Sequence, residues 1–198
     1  MVDVVHIIGN GKSGGMFKNA FEGVRITCNI PPVPVENVFA TCMVDFKMMK
    51  AIHEGSVQVP GNWVLGARPK VYMEKNGGFH MKYAKHIRGF YTALPDYVDN
   101  YTDFNCGHMA THYGVTKFAP KDCHMYGFNS IFDFDMTSCT DMYLESDRSR
   151  NNNNRLANNW RGIWPKLFEE FPDTTFHLWH KHGQIKIELP KNVKIITP

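Results

Sequence analysis

The feature that most limits what this chain can become lies at its start. An apolar, β-branched run from Val2 to Ile8 is cut off by Gly9-Asn10-Gly11-Lys12-Ser13-Gly14. A run that short, stopping at glycine, reads as a buried parallel strand rather than the start of a helix. Three demands coincide in the loop: a tight turn, close approach of backbone to phosphate, and backbone N–H groups aimed at an anion. The plainer reading is a glycine turn that only lets a strand and a helix pack. Gly11-Lys12-Ser13 is not a P-loop, because His6 stands where that motif needs glycine. Strand, glycine loop and helix in this order predict an α/β chain, Rossmann-like, with a mostly parallel sheet flanked by helices.

A chain of 198 residues fits one domain, residues 1–198, with little left for a second. Hydrophobic residues at 43% and charged residues at 21% exclude disorder as its main character. The formal charge of +3 comes without a long Lys/Arg run, so an anionic partner is allowed but no duplex-binding stripe is announced. The five cysteines, Cys28, Cys42, Cys106, Cys123 and Cys139, are odd in number and lack a Cys-x-x-Cys pair. They read as buried thiols, not as a disulfide framework or a thiolate zinc site. No basic segment leads an apolar run and no stretch has the length of a membrane span, so a cytoplasmic protein is expected.

Along the chain, Lys12 to Phe21 is compatible with a helix, and Val24 to Asn29 reads as the second strand. The prolines of Ile30 to Val35 make an extended connection. Val38 to Met43 resumes as a strand and Phe46 to Ile52 as a helix; further strands are expected at Asn62 to Leu65 and near Lys70 to Met73. Residues 76–103, rich in Gly, Tyr and His, read as an irregular lid or acceptor region with short helical pieces. Cys106 to Tyr113 is a helix entered from a turn at Thr102-Asp103, and Asp122 to Phe128 the strand after it. Ser149 to Asn154, with its run of Asn, reads as a loop. Asn158 to Phe171 has helical spacing, with the helix proper starting near Ile163 because of Pro165. Thr175 to Trp179 and Gln184 to Leu189 are the last expected strands.

A dinucleotide oxidoreductase of the NAD type would place Asp or Glu at the end of the second strand to bind ribose, and Cys28-Asn29 stands there. Asn29 can meet sugar hydroxyls or a base edge through its amide, or satisfy its own turn. Ile7 to Ser13, Arg25 to Asn29, Asn105 to Ala110 and Cys123 to Asn129 then resemble, in order, the motifs of the bacterial family 42 sialyltransferases and related glycosyltransferases. The resemblance implies a nucleotide-sugar donor, CMP-linked in that family, held by Gly9, Asn10, Gly11, Lys12, Ser13, Asn29, Cys106, Gly107 and Asn129. It implies no cofactor beyond that substrate, and a hydroxyl acceptor such as a glycan or a modified nucleic acid base. Cys106 stands where the family has Ser and Asn129 where it has Asp; residues 148–159, where its general-base His falls, hold none. Two other classes stay open: the NAD-type oxidoreductase, and a non-catalytic binding protein with a decayed transferase site.

Sugar transfer needs a base for the acceptor hydroxyl and N–H or cationic groups for the departing phosphate. Lys12, Ser13 and the loop amides suit the second need. Asp45, Asp133 and Asp135 follow predicted strands on the ligand side of an open sheet and are the candidate bases; the plainer reading of each is a capping or loop carboxylate. His108 and His112 share a helix face, and His177, His180 and His182 cluster near the end, but no third ligand type converges, so no metal site is assigned. Phe79, Tyr83, Phe90, Tyr91, Tyr97 and Tyr101 lie among His80, Lys82, Lys85, His86 and Arg88, a mixture that stacks rings against bases or sugars, or merely buries them under a solvated face.

Overall fold

The structure, a computed structural model, describes residues 2–132, 150–183, 185 and 187–198, with the backbone alone for 150–157. Eight strands form one parallel sheet: β1 (Val4–Ile8), β2 (Val24–Cys28), β3 (Val38–Met43), β4 (Trp63–Leu65), β5 (Ile87–Phe90), β6 (Asp122–Tyr126), β7 (Thr175–Trp179) and β8 (Val193–Ile196). Their order is β5-β4-β3-β2-β1-β6-β7-β8. The chain therefore lays four strands outward from β1, then returns to place β6 on its other side. Order reverses between β1 and β6, and open sheets of this kind hold ligands at that point, beyond the carboxyl ends of the strands.

Among the described residues six α-helices accompany the sheet: α1 (Phe46–His53), α2 (Ala67–Lys75), α3 (Gly77–Tyr83), α4 (Cys106–Phe118), α5 (Asn129–Phe132) and α6 (Arg150–Glu170). Side-chain alternation divides the core between the two faces of the sheet. Val5, Ile7, Ile26, Cys42, Val64, Met125 and Phe176 meet Met109 and Val115 of α4 and Trp164 and Phe168 of α6. On the opposite face, Met43, Trp63 and Leu65 pack with Met48, Met73 and Phe79 of α1, α2 and α3. No described helix is long and apolar enough to cross a membrane.

Several expected elements differ. Residues 12–16 form only a 3-10 turn, and Phe17 is extended at φ −66°, ψ 141° so that its ring packs between His6 and Tyr126. Lys70 to Met73 is not a strand but the middle of α2; Pro69 falls in its first turn, where a missing N–H costs nothing. The region 76–103 has the expected short helical pieces, α3 among them, but also a strand, β5, that Gly89 and Arg88 obscured. Helix α4 is entered from the expected turn at Thr102-Asp103, is capped by Asn105 and runs on to Phe118 rather than ending at Tyr113. The described span of helix α6, Arg150–Glu170, includes the Asn run, which is therefore helical and not a loop, and the helix continues through Pro165. Burial of Ile163, Trp164, Leu167 and Phe168 outweighs the bond that Pro165 cannot donate. The final strand is β8 rather than Gln184 to Leu189, of which Gln184 and Lys186 lie outside the described residues. Strand β6 stops at Tyr126, two residues early, because Gly127 turns away at φ 80°.

A row of basic residues crosses five neighbouring strands in register: Arg25, His6, His124, His177 and Lys194. The rings of His6 and His124 stack at 5.3 Å and those of His124 and His177 at 4.3 Å. Trp179 Nε1–H donates to His124 Nδ1 at 3.0 Å, and His6 Nε2–H donates to the Glu22 carbonyl at 2.9 Å. Burial, with the neighbouring His177 and His6, pushes His124 down to about 4. Asp122 accepts from His177 Nε2 at 2.7 Å.

His108 is fully buried and completes the cap of α4. Its Nδ1 accepts the Asn105 N–H at 3.2 Å, so its Nε2–H donates to the Trp160 carbonyl at 3.1 Å and ties α4 to α6. Burial lowers its pKa from 6.5 to about 3, against the raising effect of the Trp160 carbonyl. A histidine depressed in the fold contributes stability that is complete above its unfolded pKa and is lost as pH falls toward the folded one. Between about pH 6 and 4, urea unfolding of the native protein should lose stability through this residue at up to about 1.4 kcal/mol per pH unit. The variant His108→Gln should have a shallower slope by about that amount; an unchanged slope would show that His108 is not held neutral.

Candidate functional site

Residues more than a hundred positions apart in the sequence meet at the carboxyl edge between β1 and β6. Backbone pairing carries on beyond the strands: Gly9 N–H donates to the Tyr126 carbonyl at 2.7 Å and Gly11 N–H to the Gly127 carbonyl at 3.0 Å. The two loops are so closely joined that a Cβ on Gly11 would land on Asn129 Oδ1 and lie 2.6 Å from the Gly127 carbonyl oxygen. Gly127 has φ 80° besides. The absence of a side chain at Gly11 is thus demanded by the protein's own packing, before any phosphate is considered.

Ser13 completes the contact. Asn129 Oδ1 accepts from Ser13 N–H at 3.1 Å and from Ser13 Oγ–H at 2.8 Å. An amide oxygen in this place does for the turn what an anion does at such loops. Lys12 is exposed and Asn10 half-buried beside it.

Asn29 ends β2 next door, in the left-handed region at φ 47°, a conformation that Asn tolerates better than most residues. It is 6% exposed; its N–H donates to the Cys42 carbonyl at 3.0 Å, and Cys106 Sγ lies 3.8 Å from its Oδ1. Cys106 opens α4 and donates to the Cys42 carbonyl at 2.9 Å. Gly107 packs so tightly on Phe128 that a Cβ would fall 2.7 Å from the ring. Burial raises the thiols of Cys42 and Cys106 well above the ordinary value, so neither is a nucleophile near neutral pH. Cys28, Cys42, Cys106 and Cys123 are all free and buried; Cys139 lies outside the described residues.

Of the candidate bases, Asp133 and Asp135 lie outside the described residues. Asp45 stands just past β3 at the N-cap position of α1, makes no side-chain cap bond, and has Arg68 Nη1 3.5 Å from its Oδ1. Arg68 also lines an open cleft of about 280 Å³, counting the space shared with solvent, together with Gly66, Tyr91, Tyr101, Phe104 and Met109. This cleft lies beyond the carboxyl ends of β3 and β4, beside the loop site rather than in it.

The aromatic mixture resolves into two parts. Phe79 and Tyr83 pack with Trp63 in the core, whereas Tyr91 and Tyr101 wall the cleft. The segment bearing them is fastened to the helices. The Tyr91 hydroxyl lies 2.6 Å from His112 Nδ1, His112 Nε2 lies 3.1 Å from both carboxylate oxygens of Glu170, and the Tyr97 hydroxyl donates to Glu170 at 2.6 Å. Sequence reasoning missed Arg68 and this clamp, because nothing local to 91–101 signals a partner on two distant helices. His108 and His112 share a helix but not a ligand, one serving the cap and the other the clamp. His180 stacks on Phe132 at 4.0 Å and its Nδ1 accepts from the His182 N–H, while His177 belongs to the row across the sheet. Among the described residues no three His, Cys, Asp or Glu side chains are placed to hold a metal ion.

No protein-family model matches the chain, and no curated protein or solved structure is significantly similar to it.

Gly11→Ala should therefore destabilise the protein itself, by about 1–3 kcal/mol, since neither the Gly127 carbonyl nor the Asn129 amide can yield without parting the two loops. Gly15→Ala, whose Cβ would come no closer than 4.0 Å to Val33, serves as the neutral comparison. Equal urea midpoints for the two variants would refute the interlock.

Proposed function

We propose that this chain binds a nucleotide-sugar at the carboxyl edge between β1, β2 and β6 and transfers its sugar to a hydroxyl acceptor. One observation carries the reading: the strand order reverses where the glycine loop, Asn29, Cys106-Gly107 and Gly127-Asn129 come together. Those are the segments whose order along the chain resembles the family 42 sialyltransferases. Asn29 in place of an acidic residue speaks against an NAD-type oxidoreductase. Asp45, two strands from the loop and steadied by Arg68, is the base we assign to the acceptor hydroxyl. The new bond joins the acceptor oxygen to the anomeric carbon, the bond to the nucleotide phosphate breaks with its electron pair on the phosphate oxygen, and the proton passes to Asp45. The cleft walled by Tyr91 and Tyr101 offers ring faces to the acceptor.

A second reading is favoured by Ser13, whose N–H and hydroxyl are both already engaged by Asn129. That is the state of a loop that no longer needs an anion, and it fits a binding protein with a decayed transferase site.

A thermal-shift panel of CMP, UDP, GDP, NAD and S-adenosylmethionine separates these readings, because a ligand that binds only the folded state must raise its melting temperature. A shift with CMP or UDP and none with NAD is expected. With a sugar-linked form of the nucleotide that binds, Asp45→Asn should lower donor turnover by about a hundredfold to ten-thousandfold while the nucleotide shift persists. Turnover equal to the parent's would remove Asp45 as base. Binding without turnover in the parent, whatever the acceptor, would favour the non-catalytic reading.

A further inference from the structure

The cleft beyond β3 and β4 has a make-up of its own. It measures about 280 Å³, counting the part shared with solvent, which is below the range that encloses a drug-sized molecule and suits a single ring. Leu94, Phe104 and Met109 line it with apolar surface, and Tyr91 and Tyr101 with rings. Both phenol groups are engaged by the protein: the Tyr101 hydroxyl donates to the Thr92 carbonyl at 2.9 Å, and the Tyr91 hydroxyl lies 2.6 Å from His112 Nδ1. Among the described residues one charged side chain lines the cleft, Arg68. Its Nη1 lies 3.5 Å from Asp45 Oδ1, in a pair that is partly open to solvent.

Such walls discriminate between kinds of acceptor. A sugar carries hydroxyls around its whole ring, and each one buried without a partner costs free energy; side chains that could meet them are few here. An aromatic ring has no such groups on its faces and stacks against tyrosine. The guanidinium repels a cation and takes a carboxylate or phosphate through its planar fork, of which the Asp45 contact occupies one nitrogen. Resting on the reading of this cleft as the acceptor side, we infer that the acceptor is a small hydroxylated aromatic acid and not a glycan. Its ring lies against the tyrosines, its anionic group on Arg68 and its phenolic hydroxyl toward Asp45. Because Asp45 stands beside Arg68, the hydroxyl is close to the anionic group on the ring. The base agrees with this choice: a phenol ionises near about pH 10, against about 16 for water, so a carboxylate serves it better than it serves an alcohol. The phenolic oxygen joins the anomeric carbon, the bond from that carbon to the nucleotide phosphate breaks with its electron pair on the phosphate oxygen, and the phenolic proton passes to Asp45.

Calorimetric titration of the wild type, Arg68→Met and Arg68→Lys with 3-hydroxybenzoate, phenyl phosphate, phenol, lactose and N-acetylneuraminate reads ring and charge separately. The wild type should bind 3-hydroxybenzoate more tightly than phenol or either sugar, and Arg68→Met should weaken it about tenfold to a hundredfold while leaving phenol binding unchanged. Arg68→Lys should restore part of the loss, since the charge returns without the fork. Urea midpoints of the three proteins should stay close, because a solvent-open pair adds little to stability. Tighter binding of phenyl phosphate than of 3-hydroxybenzoate, lost in the same way in Arg68→Met, would make the anionic group a phosphate. Either sugar bound as tightly as 3-hydroxybenzoate, equal binding by the wild type and Arg68→Met, or no aromatic acid bound at all would overturn the inference. Turnover of a nucleotide-sugar onto lactose would then leave glycosyl transfer standing with a different acceptor. Aromatic acids bound through Arg68 by a wild type that binds no nucleotide would keep the ligand class of the cleft and remove the transfer.

Discussion

The pairing of β1 with β6 is the contact on which the rest of this molecule depends. Val4–Ile8 and Asp122–Tyr126 lie side by side in unbroken register although the whole run of β2 to β5 separates them along the chain. Closing so long a loop costs entropy before any contact offsets it, and only strands buried on both faces recover enough apolar area. Val5, Ile7, Cys123 and Met125 supply it on one side, and Ile8 and Tyr126 on the other. Once the pair is made, the strand order must reverse there, and the loop after each strand is brought against the other.

Much of this was legible because it is local. The β-branched runs of β2 and β3 show their own limits, and Asn29 and the glycine loop can be picked out by their place after a strand. What escaped has a physical cause in each case. Strand β5 is short, lies at the sheet edge and contains Arg88 and Gly89, so its pattern is weak. Helix α2 hides behind Pro69 and a Val71-Tyr72 pair that favours strands when read alone. The hold of Asn129 on Ser13 spans 116 residues and has no local sign. The histidine row left a partial one: Val5-His6-Ile7, Cys123-His124-Met125 and Phe176-His177-Leu178 each set a histidine between apolar residues in mid-strand. Only the register shows that the three are neighbours.

Electrostatics and packing are joined in the same few contacts. On one face of the sheet, burial and the Trp179 N–H aimed at its Nδ1 favour the neutral form of His124. On the other, His108 closes the cap of α4 while holding the Trp160 carbonyl of α6. Both arrangements require a defined tautomer, which a protonated ring cannot supply. Strand β6 and helix α4 are therefore each held by hydrogen bonds whose direction depends on neutral imidazole.

The interlock of Gly11 with Gly127 also bears on how a ligand would arrive. Because hydrogen bonds of the sheet type continue into both loops, the floor of the crevice has its shape in the free protein, with Asn129 already oriented. A preorganised surface of this kind gives up little further freedom when it is occupied. Association at such a floor is limited by diffusion and access rather than by loop closure, and differences in affinity among related ligands appear mainly in how fast they leave.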